Sequence, residues 1–268
     1  MSAVYAIGDI HGQYDKLVSL LHDAGLVDES LRWNAGDARV WFMGDFVDRG
    51  PSGIDAIELV MRLQNQAVRA GGLVQALLGN HDLLLLAAYR FGQCRSLFIN
   101  LPASPQEFPI EMVDFFTAEW LHSGGVPEDL ARMNGRHAVW LAHLPAMACV
   151  EDKLLVHADA TLYQRYGDTI AEVNAFFQRL LSEGDANRWM RVLDDFGEHR
   201  AFLGPDAVER AALFLKMFGC RQLIHGHTPI SKITRQEATE PYVYAGGLCV
   251  NLDGGLYLGG SGFVYQLN

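Results

Sequence analysis

Five short apolar runs in this chain each end in a polar cluster, and this repetition constrains the fold more than any other feature. Residues 4–7 run into GDIHG (8–12), and residues 40–43 into GDFVDRG (44–50). Residues 73–78 run into GNHD (79–82), 154–156 into HAD (157–159), and 223–224 into HGHTP (225–229). Apolar runs this short, closed by Gly or other turn residues, read as buried strands. Helical patterns lie between them. Leu17, Leu20, Leu21 and Leu26 recur at helical spacing, as do Ile54, Ile57, Val60, Met61 and Leu63 behind the start signals Pro51 and Ser52. Asp82 is placed to open a third helix over 83–89, and 205–218 reads as another, ending at Gly219. Strand–loop–helix repeats imply an α/β fold with crossover connections. In such folds the carboxyl ends of the strands gather on one edge, so the polar clusters can converge in space. The stretch 242–267 is β-prone and Gly-rich and is expected to form antiparallel hairpins. The expected architecture is two face-to-face mixed β-sheets flanked by helices.

No Pro/Gly/Ser-rich linker, low-complexity stretch or fixed-period repeat divides the 268 residues, half of which are apolar. They are read as a single domain over 1–268. The segments 93–138 and 169–196 break the strand–helix rhythm and are read as helical insertions. The formal net charge is −11, and no Lys/Arg run offsets it; a nucleic-acid partner is therefore not expected. The longest apolar stretch, around residues 83–88, falls far short of the ~18–20 residues that span a bilayer. The amino-terminal residues lack a basic-then-apolar leader pattern. No membrane partner and a cytoplasmic location are expected. Cys94, Cys149, Cys220 and Cys249 form no C-x-x-C pair, in keeping with reduced thiols. The sequence specifies no oligomeric state.

The side chains at the strand ends are Asp9, His11, Asp45, Asp48, Arg49, Asn80, His81, His157, His225 and His227. Carboxylates, imidazoles and an amide oxygen suit a pair of divalent cations such as Mn, Fe or Zn. No cysteine belongs to the set, which excludes an all-thiolate site, and no G-K-[ST] loop points to a P-loop enzyme. Two ions held together can clamp phosphate oxygens, lower the pKa of a bridging water and offset charge on a transferring phosphoryl group. Asp45 is well placed to bridge such a pair. A phosphorylated substrate of this acidic protein must be gripped by local cations.

GDIHG, GDFVDRG, GNHD, a His after an apolar strand and GHT occur in that order over 8–228. This series resembles that of the phosphoprotein phosphatases, within the calcineurin-like metallophosphoesterases, and is nearest to bacterial-type members. The resemblance implies a four-layer sandwich with a dinuclear site at the strand carboxyl ends. It implies Asp9, His11 and Asp45 around a first ion, and Asn80, His157 and His227, with Asp45 shared, around a second, Mn being the expected metal. A metal-bridging hydroxide would attack phosphorus. His81, oriented by Asp48, would protonate the leaving oxygen, since an alkoxide needs a proton and a carboxylate partner favours the protonated ring. Arg49 would grip the phosphate through its planar fork, and Arg200 in EHRAFLG would supply a second phosphate contact.

The pattern also departs from the family. Asp82 replaces the Glu of the eukaryotic GNHE, as in bacterial members and the symmetrical dinucleoside tetraphosphatases. HAD replaces His-Gly-Gly or His-Ala-Gly. His225 stands where Arg is common, and is read as structural. His22, His122, His137, His143 and His199 are read as structural or solvent-facing, and Asp253 as part of a turn. The expected activity is phosphate-monoester hydrolysis, foremost by a serine/threonine protein phosphatase that also accepts phosphotyrosine. A symmetrical dinucleoside tetraphosphatase is the alternative, although those enzymes resemble GDLVARG and GHW where this chain has GDFVDRG and GHT. A catalytically inactive binding scaffold is the third reading, disfavoured by the intact ligand set. Partners are accordingly phosphorylated proteins or small phosphoesters.

Overall fold

Alternation along the strands builds the layers. The computed structural model describes residues 2–92 and 114–268, and among these the strands form two sheets. The first has β1 (Val4–Ile7) beside β2 (Arg39–Phe42) and β2 beside β3 (Leu73–Ala76), all parallel, with Val4 opposite Arg39 and Arg39 opposite Leu73. The second has the order β4 (Met147–Val150), β5 (Lys153–Val156), β6 (Gln222–His225), β8 (Cys249–Asn251), β7 (Tyr242–Tyr244). Its central strands β5, β6 and β8 are parallel. Val4, Ala6, Met43 and Leu77 from the first sheet meet Val150, Leu155, Ile224 and Val250 from the second in one buried layer. Their neighbours Ile7, Val40, Phe42, Val74, Leu154, Leu223 and Cys249 face the other way, into the larger core under the helices. A period of two thus sorts each strand between a sheet–sheet face and a sheet–helix face. The expected pair of facing mixed sheets flanked by helices is what the chain forms.

The helices begin close to their sequence signals. They are α1 (Tyr14–Asp23), α2 (Gly53–Arg69), α3 (Asn80–Phe91), α4 (Phe115–His122), α5 (Pro127–Arg132) and α6 (Gly135–Ala142). Then come α7 (Ile170–Ser182), α8 (Ala186–Asp195), α9 (Ala207–Met217) and α10 (Ile230–Thr234). The run around 83–88 is the middle of α3, buried on all sides beneath α4, α6 and α8. A helix that is apolar all round belongs in a core, and no helix among the described residues is long and apolar enough to cross a membrane. Of the 93–138 segment, residues 93–113 lie outside the described residues, and 114–138 forms α4, α5 and the start of α6. The 169–196 segment forms two helices, as its pattern predicts.

One expectation fails at the carboxyl end. Within 242–267 only β7 and β8 make an antiparallel hairpin. The last strand, β9 (Val264–Gln266), leaves for the other sheet and pairs antiparallel with β1. The Leu267 N–H donates to the Val4 carbonyl at 2.7 Å, and Leu267 is buried between the sheets. Pairing there covers the exposed edge of β1, a gain that local alternation cannot encode. The β4–β5 hairpin also has no local sequence signal.

Candidate metal centre

Parallel strands deliver their carboxyl-terminal loops to one edge, and the expected site residues meet there. Asp9 and His11 follow β1, Asp45, Asp48 and Arg49 follow β2, Asn80 and His81 open α3 after β3, His157 follows β5, and His227 follows β6. The backbone at His11, Asp45, Asp48, Arg49 and His227 has positive φ, from 48° to 71°. Non-glycine residues rarely adopt that region, and such strain clusters where surrounding structure fixes side chains for a task.

Asp45 occupies the middle. Its Oδ2 lies 3.5 Å from His11 Nε2, and its Oδ1 lies 3.5 Å from His157 Nε2. On one side the ligating atoms of His11, Asp45 and His81 fall within 4.8 Å of one another; on the other, those of Asp45, His157 and His227 do. Asn80 Oδ1 is 2.9 Å from both His157 Nε2 and His227 Nδ1. Asp9 lies 4.0 Å from His11 Nε2, and its two oxygens accept the His227 N–H at 3.1 and 2.9 Å. His11 Nδ1 faces the Val47 carbonyl at 3.1 Å, and His157 Nδ1 faces that of Met43 at 2.8 Å. With Nδ1 donating to a backbone oxygen, each ring turns its Nε2 toward the carboxylates, the arrangement that orients metal-binding histidines. Glycine makes the room: a Cβ on Gly79 would stand 2.2 Å from Asp45 Oδ1, and one on Gly226 2.0 Å from Asp9 Oδ1. Hard carboxylate and amide oxygens, imidazole nitrogens and cleared space fit divalent cations.

The charges fit as well. Burial pushes the Asp45 carboxyl up, but His157, His81 and His11 outweigh it and hold Asp45 well below the usual carboxylate range. Burial works against a charged His157, yet Asp45 and Asp9 hold its pKa up at about 10. Burial keeps His11 and His227 well below the ordinary imidazole value, hence neutral with a lone pair to offer. Burial and the neighbouring Asp253 and Asp45 push Asp9 well up. His157, losing its proton to hold a divalent cation here, would offer a lone pair, and the cation's charge would offset the repulsion among the carboxylates.

Beside the carboxylates lies an acid–base pair. His81 Nδ1 is 2.8 Å from Asp48 Oδ2, and the Trp120 indole N–H donates to Asp48 Oδ1 at 2.7 Å. The Arg49 guanidinium reaches His81 Nε2 at 2.8 Å and His11 Nε2 at 3.0 Å, with its carbon 4.4 Å from the centre of the Tyr257 ring. Asp82, the departure in GNHD, caps α3 from within. Its carboxylate accepts the N–H groups of Gly79, Asp45 and Phe46 at 3.0, 2.8 and 3.0 Å, locking the β2 and β3 loops together.

Arg200 stands apart from this cluster on an exposed rim, where its guanidinium donates to the Lys232 carbonyl at 3.5 Å. Lys232 Nζ in turn donates to the Tyr257 hydroxyl at 3.1 Å. His225 turns away from the carboxylates; its Nε2 is 2.7 Å from the Tyr244 hydroxyl, which donates to Asp159 at 2.8 Å. His199, read from the sequence as structural or solvent-facing, places its ring centre 5.8 Å from that of His227. Asp253 is more than a turn residue: it is fully buried, its Oδ2 has no hydrogen-bond partner, and its charge acts on Asp9. Its one sequence signal is position, since NLDGG is another polar cluster closing a strand, β8. Trp120 and Tyr257 carry no such signal.

Comparison with known proteins identifies the family and the fold. The model of the calcineurin-like phosphoesterase family matches residues 2–231. The symmetrical bis(5'-nucleosyl)-tetraphosphatase of Escherichia coli (strain K12 / DH10B) is 40% identical over 87 residues, 32% of this chain and 26% of that enzyme. The match thus spans about a quarter of the length of such curated relatives. Among solved structures, the cold-active protein-tyrosine phosphatase of a psychrophilic Shewanella superposes over 100% of this chain and 76% of its own, with a TM-score of 0.71 and 19% identity. A protein serine/threonine phosphatase of Saccharomyces cerevisiae covers 94% of this chain and 67% of its own, with a TM-score of 0.50 and 17% identity. Likeness at these identities concerns the fold.

Proposed function

The chain belongs to the calcineurin-like phosphoesterases, and on that premise we propose that it hydrolyses phosphate monoesters as a serine/threonine protein phosphatase, with phosphotyrosine as a further substrate. We read residues 1–268 as one catalytic domain. The observation that carries this reading is the Trp120–Asp48–His81 chain, with links of 2.7 and 2.8 Å. Serine and threonine leave as alkoxides and need a proton at the moment of departure; a positioned imidazole supplies it.

Asp9, His11 and Asp45 would hold one divalent ion, and Asp45, Asn80, His157 and His227 the other, Mn being favoured and Fe or Zn admissible by ligand type. When bound, such ions make water a competent nucleophile near neutral pH and offset phosphoryl charge. The chain's other residues do the rest. Arg49, already poised between the two imidazoles, turns its fork onto the phosphoryl oxygens. His81 gives its Nε2 proton to the leaving oxygen. Asp48 holds the ring from Nδ1, and Trp120 fixes Asp48. Arg200, on the rim with Lys232, meets the substrate beyond the reacting phosphate.

The 40% identity with the symmetrical bis(5'-nucleosyl)-tetraphosphatase favours a second reading, hydrolysis of a dinucleoside tetraphosphate. A nucleoside diphosphate leaves readily without a proton, so the His81–Asp48 pair is less needed there. The test is turnover of p-nitrophenyl phosphate, a phosphothreonine peptide and diadenosine tetraphosphate by Mn-loaded protein, with Asp45→Asn as the background. Preference for the peptide supports the phosphatase reading; preference for the dinucleotide replaces it with the second.

A further inference from the structure

Far from each other in sequence, two thiols meet at the opposite end of the second sheet from the metal centre. Cys149 lies on β4, and Cys220 stands two residues before β6. Their Sγ atoms are 2.9 Å apart, and the two residues are 71 positions apart in sequence. Cys149 is exposed and Cys220 is buried. The backbone around them is already tied: the Arg221 N–H donates to the Asp152 carbonyl at 2.7 Å, so the β4–β5 turn and the start of β6 are held together without the sulfurs. We propose that Cys149 and Cys220 are an oxidation site that closes into an intramolecular disulfide when the protein meets a peroxide or a small-molecule disulfide.

The chemistry balances with hydrogen peroxide as oxidant. The exposed Cys149 thiolate attacks a peroxide oxygen, the O–O bond breaks, and water leaves behind a sulfenic acid. The Cys220 sulfur then attacks the Cys149 sulfur. An S–S bond forms, the S–O bond breaks, and the departing hydroxide takes the Cys220 proton as a second water. Two thiols and one peroxide give one disulfide and two waters. The order of events follows from exposure. Burial, and then the hydrogen bond to Cys149, push the Cys220 thiol up to about 12, so Cys220 is the resolving partner rather than the first nucleophile.

The disulfide acts as a clasp on the fold. It closes a loop containing β5, α7, α8 and α9, which restricts the unfolded chain. It sits at the amino end of β6, whereas His227 lies beyond the carboxyl end, about 13 Å of strand away. Oxidation is therefore expected to raise the melting temperature by about 5–10 °C and to leave turnover of p-nitrophenyl phosphate within about twofold, whichever natural substrate the enzyme takes.

The test treats the full chain with hydrogen peroxide or oxidised glutathione, alkylates the remaining thiols and maps non-reduced peptides by mass spectrometry. The expected result is a linked Cys149–Cys220 peptide two hydrogens lighter, kept in Cys94→Ser, lost in Cys149→Ser, and reversed together with the melting shift by a dithiol reductant. Oxidation that stops at a sulfinic acid or a glutathione adduct on Cys149 overturns the proposal. So does a link from Cys149 or Cys220 to Cys94, or a cross-linked dimer. The wild-type peptide map decides the matter even if a variant fails to fold.

Discussion

The floor of the site and its rim are built differently. The floor consists of Asp9, His11, Asp45, Asn80, His157 and His227, each within a few residues of a strand end, and backbone carbonyls that follow β2 orient His11 and His157. The rim consists of His199, Arg200, Lys232 and Tyr257 with the buried supports Trp120, Asp159 and Asp253 beneath them, brought in by α4, α10 and the irregular turns. Links in both cross long stretches of chain: Trp120 reaches Asp48 over 72 residues and Tyr244 reaches Asp159 over 85, as His157 reaches Met43 over 114 and the His227 N–H reaches Asp9 over 218; what differs is that the floor residues lie in the strand-end motifs. The floor carries the oxygen and imidazole ligands that suit a pair of divalent ions, and the rim carries the side chains that surround them. Asp159 illustrates the rim. It accepts the Arg200 N–H at 2.7 Å while its own carbonyl accepts that of Ala201 at 2.9 Å. HAD thereby anchors the loop that presents His199 and Arg200.

The sharpest way to break this contrast is to strike the floor. Asp45→Asn is expected to lower Mn-dependent turnover by roughly 10³-fold and to reduce the metal content measured by elemental analysis, because both ligand groups share that carboxylate. An Asp45→Asn protein that keeps both ions and its rate would remove the bridging role. Next comes the acid. His81→Ala should cost about 10²–10³-fold on a phosphothreonine peptide and much less on p-nitrophenyl phosphate, whose leaving group needs no proton. Equal losses on the two substrates would assign His81 to binding.

Rim variants should move less. The Asp253 Oδ1 accepts the Gly255 N–H at 2.9 Å, and its Oδ2 has no hydrogen-bond partner; Asp253→Asn removes this buried charge, which repels Asp9. It should raise the melting temperature of the metal-free protein and weaken Mn binding by about tenfold or more, read by calorimetric titration. Two effects of the same sign would mean that Asp253 acts by packing alone. Trp120→Phe keeps the ring but drops the N–H to Asp48, and should lower peptide turnover about tenfold with little change in KM. A loss as large as that of His81→Ala would erase the distinction between floor and rim.

The smallest effect is on stability against pH. Asp129 is buried and accepts the Ile54 N–H at 3.1 Å; burial, opposed by that bond, pushes its carboxyl up to about 6 from 3.8. A raised carboxyl binds its proton more tightly in the folded state. Its contribution is complete below about pH 4 and lost as pH rises through about 6, on the order of 2 kcal/mol. Denaturant titrations of the metal-free protein across that window should show this fall in the wild type and a flatter profile in Asp129→Asn.

Local chemistry explains which parts were readable. GDIHG, GDFVDRG and GNHD put a ligand or acid within five residues of an apolar strand, and parallel strands carry such positions to a common edge. Gly79 and Gly226 matter because a Cβ at either would meet a carboxylate oxygen. Asp253 reads in sequence only as a turn, since the close approach of the Leu252–Asp253 backbone to Gly8 joins segments far apart in the chain. His199 reads as structural or solvent-facing and is exposed, but nothing near it in sequence shows that Asp159 anchors its loop beside His227.

Sequence by itself determined the two-sheet α/β architecture, the edge where the loops collect and the residue types that suit a pair of divalent ions. Each of these follows from periodicity and strand-end composition, which act over a few residues. The tertiary structure alone decided that β9 crosses to cover β1, that Trp120 props Asp48, that Tyr257 stacks on Arg49 and that Cys149 faces Cys220. Those contacts join segments tens to hundreds of residues apart. Their existence depends on how whole layers pack, which no local pattern specifies.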